Sequence, residues 1–98
     1  SADMGNYSIE ELWSYVCVGD NRALLNYYKN GGQPNRRFNA GMRVNSLLMG
    51  AYRNRNWSTV KLLKKYGETL TQEEYAAFKY EAEGAKMMLY MIDELKFS

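Results

Sequence analysis

Residues 12–35 read LWSYVCVGDNRALLNYYKNGGQPN. With Ile9 just upstream, Leu12, Trp13 and Val16 fall on one face of a helix that runs to about Val18. Gly19-Asp20 breaks it, and Asp20 can cap a second helix over about Asn21 to Asn30. Ala23, Leu24, Tyr27 and Tyr28 share one face of that helix, and Gly31-Gly32 fits a left-handed C-terminal stop. The stretch therefore encodes two helices joined by a tight turn. The fold depends on whether this unit recurs.

It does, at a shift of 36. Leu12 falls on Leu48, Asp20 on Asn56, Leu24 on Val60, Tyr27 on Leu63, Lys29 on Lys65 and Gly31 on Gly67. A unit of this kind cannot bury its apolar face alone, so neighbours stack. Upstream, Ser8-Ile-Glu-Glu11 reads as a capping box that opens the first helix. Downstream, Ser46 to Arg53 and Trp57 to Tyr66 read as helices, the second stopped by Gly67. Thr71-Gln-Glu-Glu74 is a second capping box, opening a helix to about Glu83, and a last helix is expected from Ala85 to about Lys96. No strand-like alternation stands out. The expectation is an all-α chain of six helices in three antiparallel pairs.

On these residues the chain resembles the ankyrin-repeat family, whose unit is a β-turn plus two antiparallel helices of about 33 residues. Residues 12–35 are similar to the family's Leu-His-x-Ala-Ala-x-x-Gly-His run, its helical Val/Leu stretch and its Gly-Ala-Asp-x-Asn ending. In the second unit Ser46 takes the Thr position, Leu48 the Leu, Ala51 the first Ala, Val60 the Val, Leu62-Leu63 the paired Leu and Gly67 the closing Gly. The likeness covers roughly residues 9–70 and is one of pattern more than identity. The Thr-Pro-Leu-His signature is Glu10-Glu-Leu-Trp13 in one unit and Ser46-Leu-Leu-Met49 in the other, and the inner glycine Gly19 becomes Arg55. The resemblance implies an ankyrin-like helical repeat solenoid over residues 9–98: repeat 1 over 9–35, a finger and repeat 2 over 36–70, and a degenerate capping helical pair over 71–98. Residues 1–8 read as an N-terminal tail, with Met4 as the native start behind a tag remnant.

At 98 residues and 46% apolar the chain is one small domain. It holds no apolar run of about 18 residues and no visible secretory signal, so no membrane span is expected. Cys17 is the single cysteine, which excludes an intrachain disulfide and suggests a reducing, cytoplasmic setting. Histidine is absent, which removes Ser–His, Cys–His and Cys/His zinc chemistry. No cofactor, metal site or catalytic residue is expected, and no enzyme. The net charge of +2 hides a lopsided distribution: residues 1–20 carry four acids and no base, and residues 21–67 carry ten bases and no acid.

The family's inter-repeat finger projects at right angles to the helices, and its partners bind the fingertips and the inner helices. Carried over, the contact residues are Arg36, Arg37, Phe38, Met42, Arg43 and Asn45 on the finger, about three residues longer than usual, with Arg53 and Asn54 at the inner helix end. Arginine forks pair with carboxylates and phosphates, and arginine, methionine and aromatics are enriched at interfaces. The competing reading is a solvated loop whose arginines pair with acids of the flanking units. For Arg53 it is an exposed helix end, where a cation suits the dipole. Trp13, Trp57 and most of the nine tyrosines read as packing residues, and Cys17 as a small buried hydrophobe.

The expected function is a non-catalytic protein-interaction module that docks an acidic partner surface through the finger and inner helix face. Two alternatives stay open. The basic stripe of residues 21–67 could contact nucleic-acid phosphates, or acidic ends could dock on basic middles in a weak homo-oligomer. Changing Arg36, Arg37 and Arg43 together to Ser is expected to leave stability nearly unchanged, since exposed ion pairs contribute about 0–1 kcal/mol.

Overall fold

A computed structural model of the chain describes residues 7–40 and 43–82. Among them are five helices and two short strands: α1 (Ile9–Val18), α2 (Asn21–Lys29), β1 (Arg37–Ala40), β2 (Arg43–Ser46), α3 (Leu47–Arg53), α4 (Trp57–Lys65) and α5 (Gln72–Ala82). The helix expected from Ala85 to Lys96 lies outside the described residues. So do residues 1–6 of the expected tail, whereas Tyr7 packs its ring against Tyr15 and Tyr27, with centroids 6.2 and 5.6 Å away.

Each helix starts where a side chain can take a free amide. Ser8 and Glu11 form the reciprocal capping box on α1. Asp20 accepts from the Ala23 N–H on α2, Ser46 from Met49 on α3 and Asn56 from Thr59 on α4. Thr71 and Glu74 close a second reciprocal box on α5, at 3.0 and 2.9 Å.

The end of each helix pair is repeated bond for bond. Gly19 N–H donates to Val16 and Asp20 N–H to Tyr15, at 3.2 and 2.8 Å; Arg55 N–H donates to Tyr52 and Asn56 N–H to Ala51, at 2.9 and 3.1 Å. The second stops match too: Gly31 to Tyr28 and Gly32 to Tyr27 at 3.0 and 2.8 Å, then Gly67 to Lys64 and Glu68 to Leu63 at 3.0 Å each. The spacing is 36 residues throughout, and α2 superposes in sequence on α4 end to end.

The helices form two layers. α1 packs on α3, α2 packs on α4, and each pair closes on itself, α1 with α2 and α3 with α4. The shared core contains Leu12, Val16, Leu24, Tyr27, Leu47, Leu48, Ala51, Tyr52, Val60 and Leu63. A buried aliphatic side chain is worth about 1.5–3 kcal/mol over its exposed state, so this cluster drives the stacking. Trp13 lies across Gly50 of α3, where an added Cβ would come within 2.6 Å of the indole ring. A polar seam ties the N-termini of α2 and α4: Asn21 accepts from the Thr59 hydroxyl at 2.6 Å and donates to Ser58 at 2.9 Å.

The described residues are mostly helical, in line with the all-α expectation, with one addition. The segment between the units holds an antiparallel hairpin, with Arg37 opposite Ser46, Phe38 opposite Asn45, Asn39 opposite Val44 and Ala40 opposite Arg43. Strands of four residues are too short for alternation to register in a sequence. An isolated two-stranded hairpin is marginal in water, so this one depends on what its side chains hold. β2 runs straight into α3, and Ser46 is both its last residue and the α3 cap.

Candidate interaction surface

The root of the hairpin is a polar junction around the buried Glu68. Asn35, in the left-handed region at φ 67°, precedes it. Its side chain donates to the Gly67 carbonyl at 3.0 Å and accepts from the Thr69 N–H at 2.8 Å. Glu68 is 2% exposed. Its Oε2 accepts from the Tyr28 hydroxyl at 2.6 Å and from the Asn35 N–H at 3.2 Å. Burial raises the Glu68 pKa above its ordinary 4.5, against the Tyr28 and Asn35 hydrogen bonds, which lower it. Burial also pushes the Tyr28 phenol up, so Tyr28 stays a donor. Tyr28 stacks face to face on Tyr66 at 5.1 Å.

Of the arginines expected at the fingertip, Arg37 is engaged in this junction. Arg37 makes a bidentate ion pair with Glu74 of α5, Nε to Oε2 at 2.6 Å and Nη2 to Oε1 at 2.8 Å, and also donates to the Thr69 carbonyl at 3.0 Å. Burial raises the Glu74 pKa, but the Arg37 and Thr71 hydrogen bonds outweigh it and hold the carboxyl below the ordinary value. Arg36 donates to the Tyr7 carbonyl at 2.6 Å. Phe38 is half-buried, its ring edge-on to Trp13 at 4.8 Å. Asn45 is buried and accepts from Arg53 at 2.8 Å. Asn54 is exposed. Met42 and the Arg43 side chain lie outside the described residues.

The structure thus joins Arg37 to an acid of the following element. Asn45 and Arg53 meet each other, Phe38 meets Trp13, and Asn54 stands apart. The expectation that changing Arg36, Arg37 and Arg43 together leaves stability nearly unchanged now meets two engaged side chains, Arg36 on the Tyr7 carbonyl and Arg37 on Glu74. Cys17 is corrected: it is exposed near the end of α1. Sequence reasoning passed over Asn35, Glu68 and Glu74 as parts of one cluster. One signal was present: Glu68 is the first acid after the long basic span and directly follows the Gly67 stop.

Exposed cations lie elsewhere. Arg22 and Lys29 on α2, and Lys61 and Lys65 on α4, are exposed on two adjacent helices that contain no acid. Arg22 and Lys29 are two turns apart, about 10 Å along one face, and Lys61 and Lys65 are one turn apart. Lys29 and Lys65 occupy equivalent positions in the two units, and Lys65 sits over the Tyr66 ring at 5.8 Å from its centroid. Arg55 is exposed at the turn between α3 and α4. Among the described residues no helix is long and apolar enough to cross a membrane.

The chain matches no family model, no curated protein and no solved structure.

Proposed function

We propose that this chain is a non-catalytic, ankyrin-like repeat module that docks an acidic protein surface, and that it does so through the outer faces of α2 and α4. One observation carries the reading: Arg22, Lys29, Lys61 and Lys65 are exposed on neighbouring helices without a single acid in either. Exposed cations on a two-helix face steer an acidic partner and set its register. The bond-for-bond recurrence of the helix stops supports the repeat reading, and with it the likeness to ankyrin units. The hairpin then acts as a brace within the stack, since Arg36 and Arg37 are already engaged. The single cysteine agrees with a reducing, cytoplasmic setting.

Cross-linked capture from cell extract tests this, comparing the chain with a variant in which Arg22, Lys29, Lys61 and Lys65 are changed together to Ser. The expected result is a protein partner lost from the variant, at a stability within about 0.5 kcal/mol of the parent. Excess duplex DNA should not displace that partner. Displacement by DNA with a steep salt dependence would make the face a nucleic-acid contact instead. Light scattering that rises with concentration and collapses in salt would make it a self-assembly surface. Undiminished capture by the variant refutes the docking face.

A further inference from the structure

Glu68 sits where separate pieces of the chain meet. Tyr28 reaches it from α2 and Asn35 from the link before the hairpin, both onto Oε2. Oε1 accepts no hydrogen bond from the described residues. The charged and titratable groups around it are Tyr28 with its neighbour Tyr27 on α2, Arg37 on β1 and Glu74 on α5. Arg37 is already paired bidentately with Glu74. Arg37 is thus shared with Glu74, so an ionised Glu68 would leave more negative than positive charge among the described groups of the junction. A neutral carboxylic acid would not. Burying an unpaired carboxylate costs far more than burying a neutral hydroxyl. In the acid form Oε2, which accepts from two donors, serves as the carbonyl and Oε1 carries the proton.

We propose that Glu68 is a proton-sensitive latch, whose neutral acid holds α2, the Asn35 link and the start of the α5 segment together and whose ionisation loosens them. Burial places its folded-state pKa above the ordinary 4.5. Stability from such a group is full below the ordinary value and is lost as pH rises through the folded value. Glu74 has the opposite sign. With its folded-state pKa lowered, its contribution is complete above the ordinary range and is lost in acid. The chain has no histidine, so no imidazole titrates between about pH 5 and 7. A fall in stability as pH rises above the ordinary 4.5 is the behaviour expected of Glu68. The latch is independent of the docking face, and either can fail alone.

The test compares the full chain with Glu68→Gln, which keeps the shape and the carbonyl acceptor. Denaturant midpoints at about pH 5, 6 and 7 are measured with amide exchange at Asn35 and Thr69, corrected for intrinsic pH dependence. For the parent, the midpoint should fall with pH and the two amides lose protection. For Glu68→Gln both should be flat, with a midpoint above the parent's at pH 7. A parent that is flat or gains stability across the window overturns the latch, as does an equal slope in both chains. If Glu68→Gln does not fold, carboxyl carbon shifts of the parent decide. Glu68 titrating well above the ordinary 4.5 supports the latch, and titrating at or below it overturns it.

Discussion

Arg55 has φ 55° where its counterpart Gly19 has φ 72°. Both end an inner helix in the left-handed region, which costs a side-chain-bearing residue about 1–2 kcal/mol and glycine little. Arg55→Gly should therefore raise stability by about 1 kcal/mol, read as a higher urea midpoint. The converse, Gly19→Ala, should lower it by at least as much. Its new Cβ takes on the same backbone strain and also lies 2.7 Å from the Asn56 side-chain nitrogen. A neutral or destabilising Arg55→Gly would show that the arginine side chain outweighs its backbone. The conserved bond pattern at a non-glycine position is thus a local cost carried by the stack. Gly50 is different, since its helix needs no special φ and it is required for the close approach of Trp13.

At the level of elements, the hairpin and α5 depend on one another. Arg37 links them with two bonds to Glu74 and a third to the Thr69 carbonyl, and its side chain is 23% exposed. Exposed ion pairs contribute about 0–1 kcal/mol, and bidentate, partly buried ones more. Arg37→Ala, Glu74→Ala and the double variant should give a coupling of about 1 kcal/mol, falling with added salt. Additive single effects would mean the hairpin is held by its other contacts, among them Phe38 on Trp13, Arg36 on the Tyr7 carbonyl and Asn45 on Arg53. The helices themselves were legible in sequence because their signals are local. Ser8, Asp20, Asn56 and Thr71 cap within three residues, and the apolar faces repeat within two turns. The hairpin was not legible, because its strands are four residues each and are stabilised by groups distant in sequence.

In the molecule as a whole, buried residues of both units form one cluster. Leu24→Ala in the first unit and Leu63→Ala in the second should each cost about 2–5 kcal/mol, since each side chain is fully buried. Each should also melt both units together. Trp13 and Trp57 report on the two units, so Trp57→Phe leaves fluorescence from the first alone. Its midpoint should coincide with the circular dichroism midpoint in either variant. Separate midpoints would show units that fold independently.

By itself the sequence determined the helix starts and stops, the 36-residue recurrence and the acid-free span from 21 to 67. These follow from interactions between residues a few positions apart, which one linear reading can follow. The tertiary structure alone decided which cations are exposed. Arg37 meets Glu74 across 37 positions and Arg36 meets the Tyr7 carbonyl across 29, whereas Arg22, Lys29, Lys61 and Lys65 are left outward. It also put Glu68 out of water, where the cost of its charge depends on neighbours that no local pattern reveals.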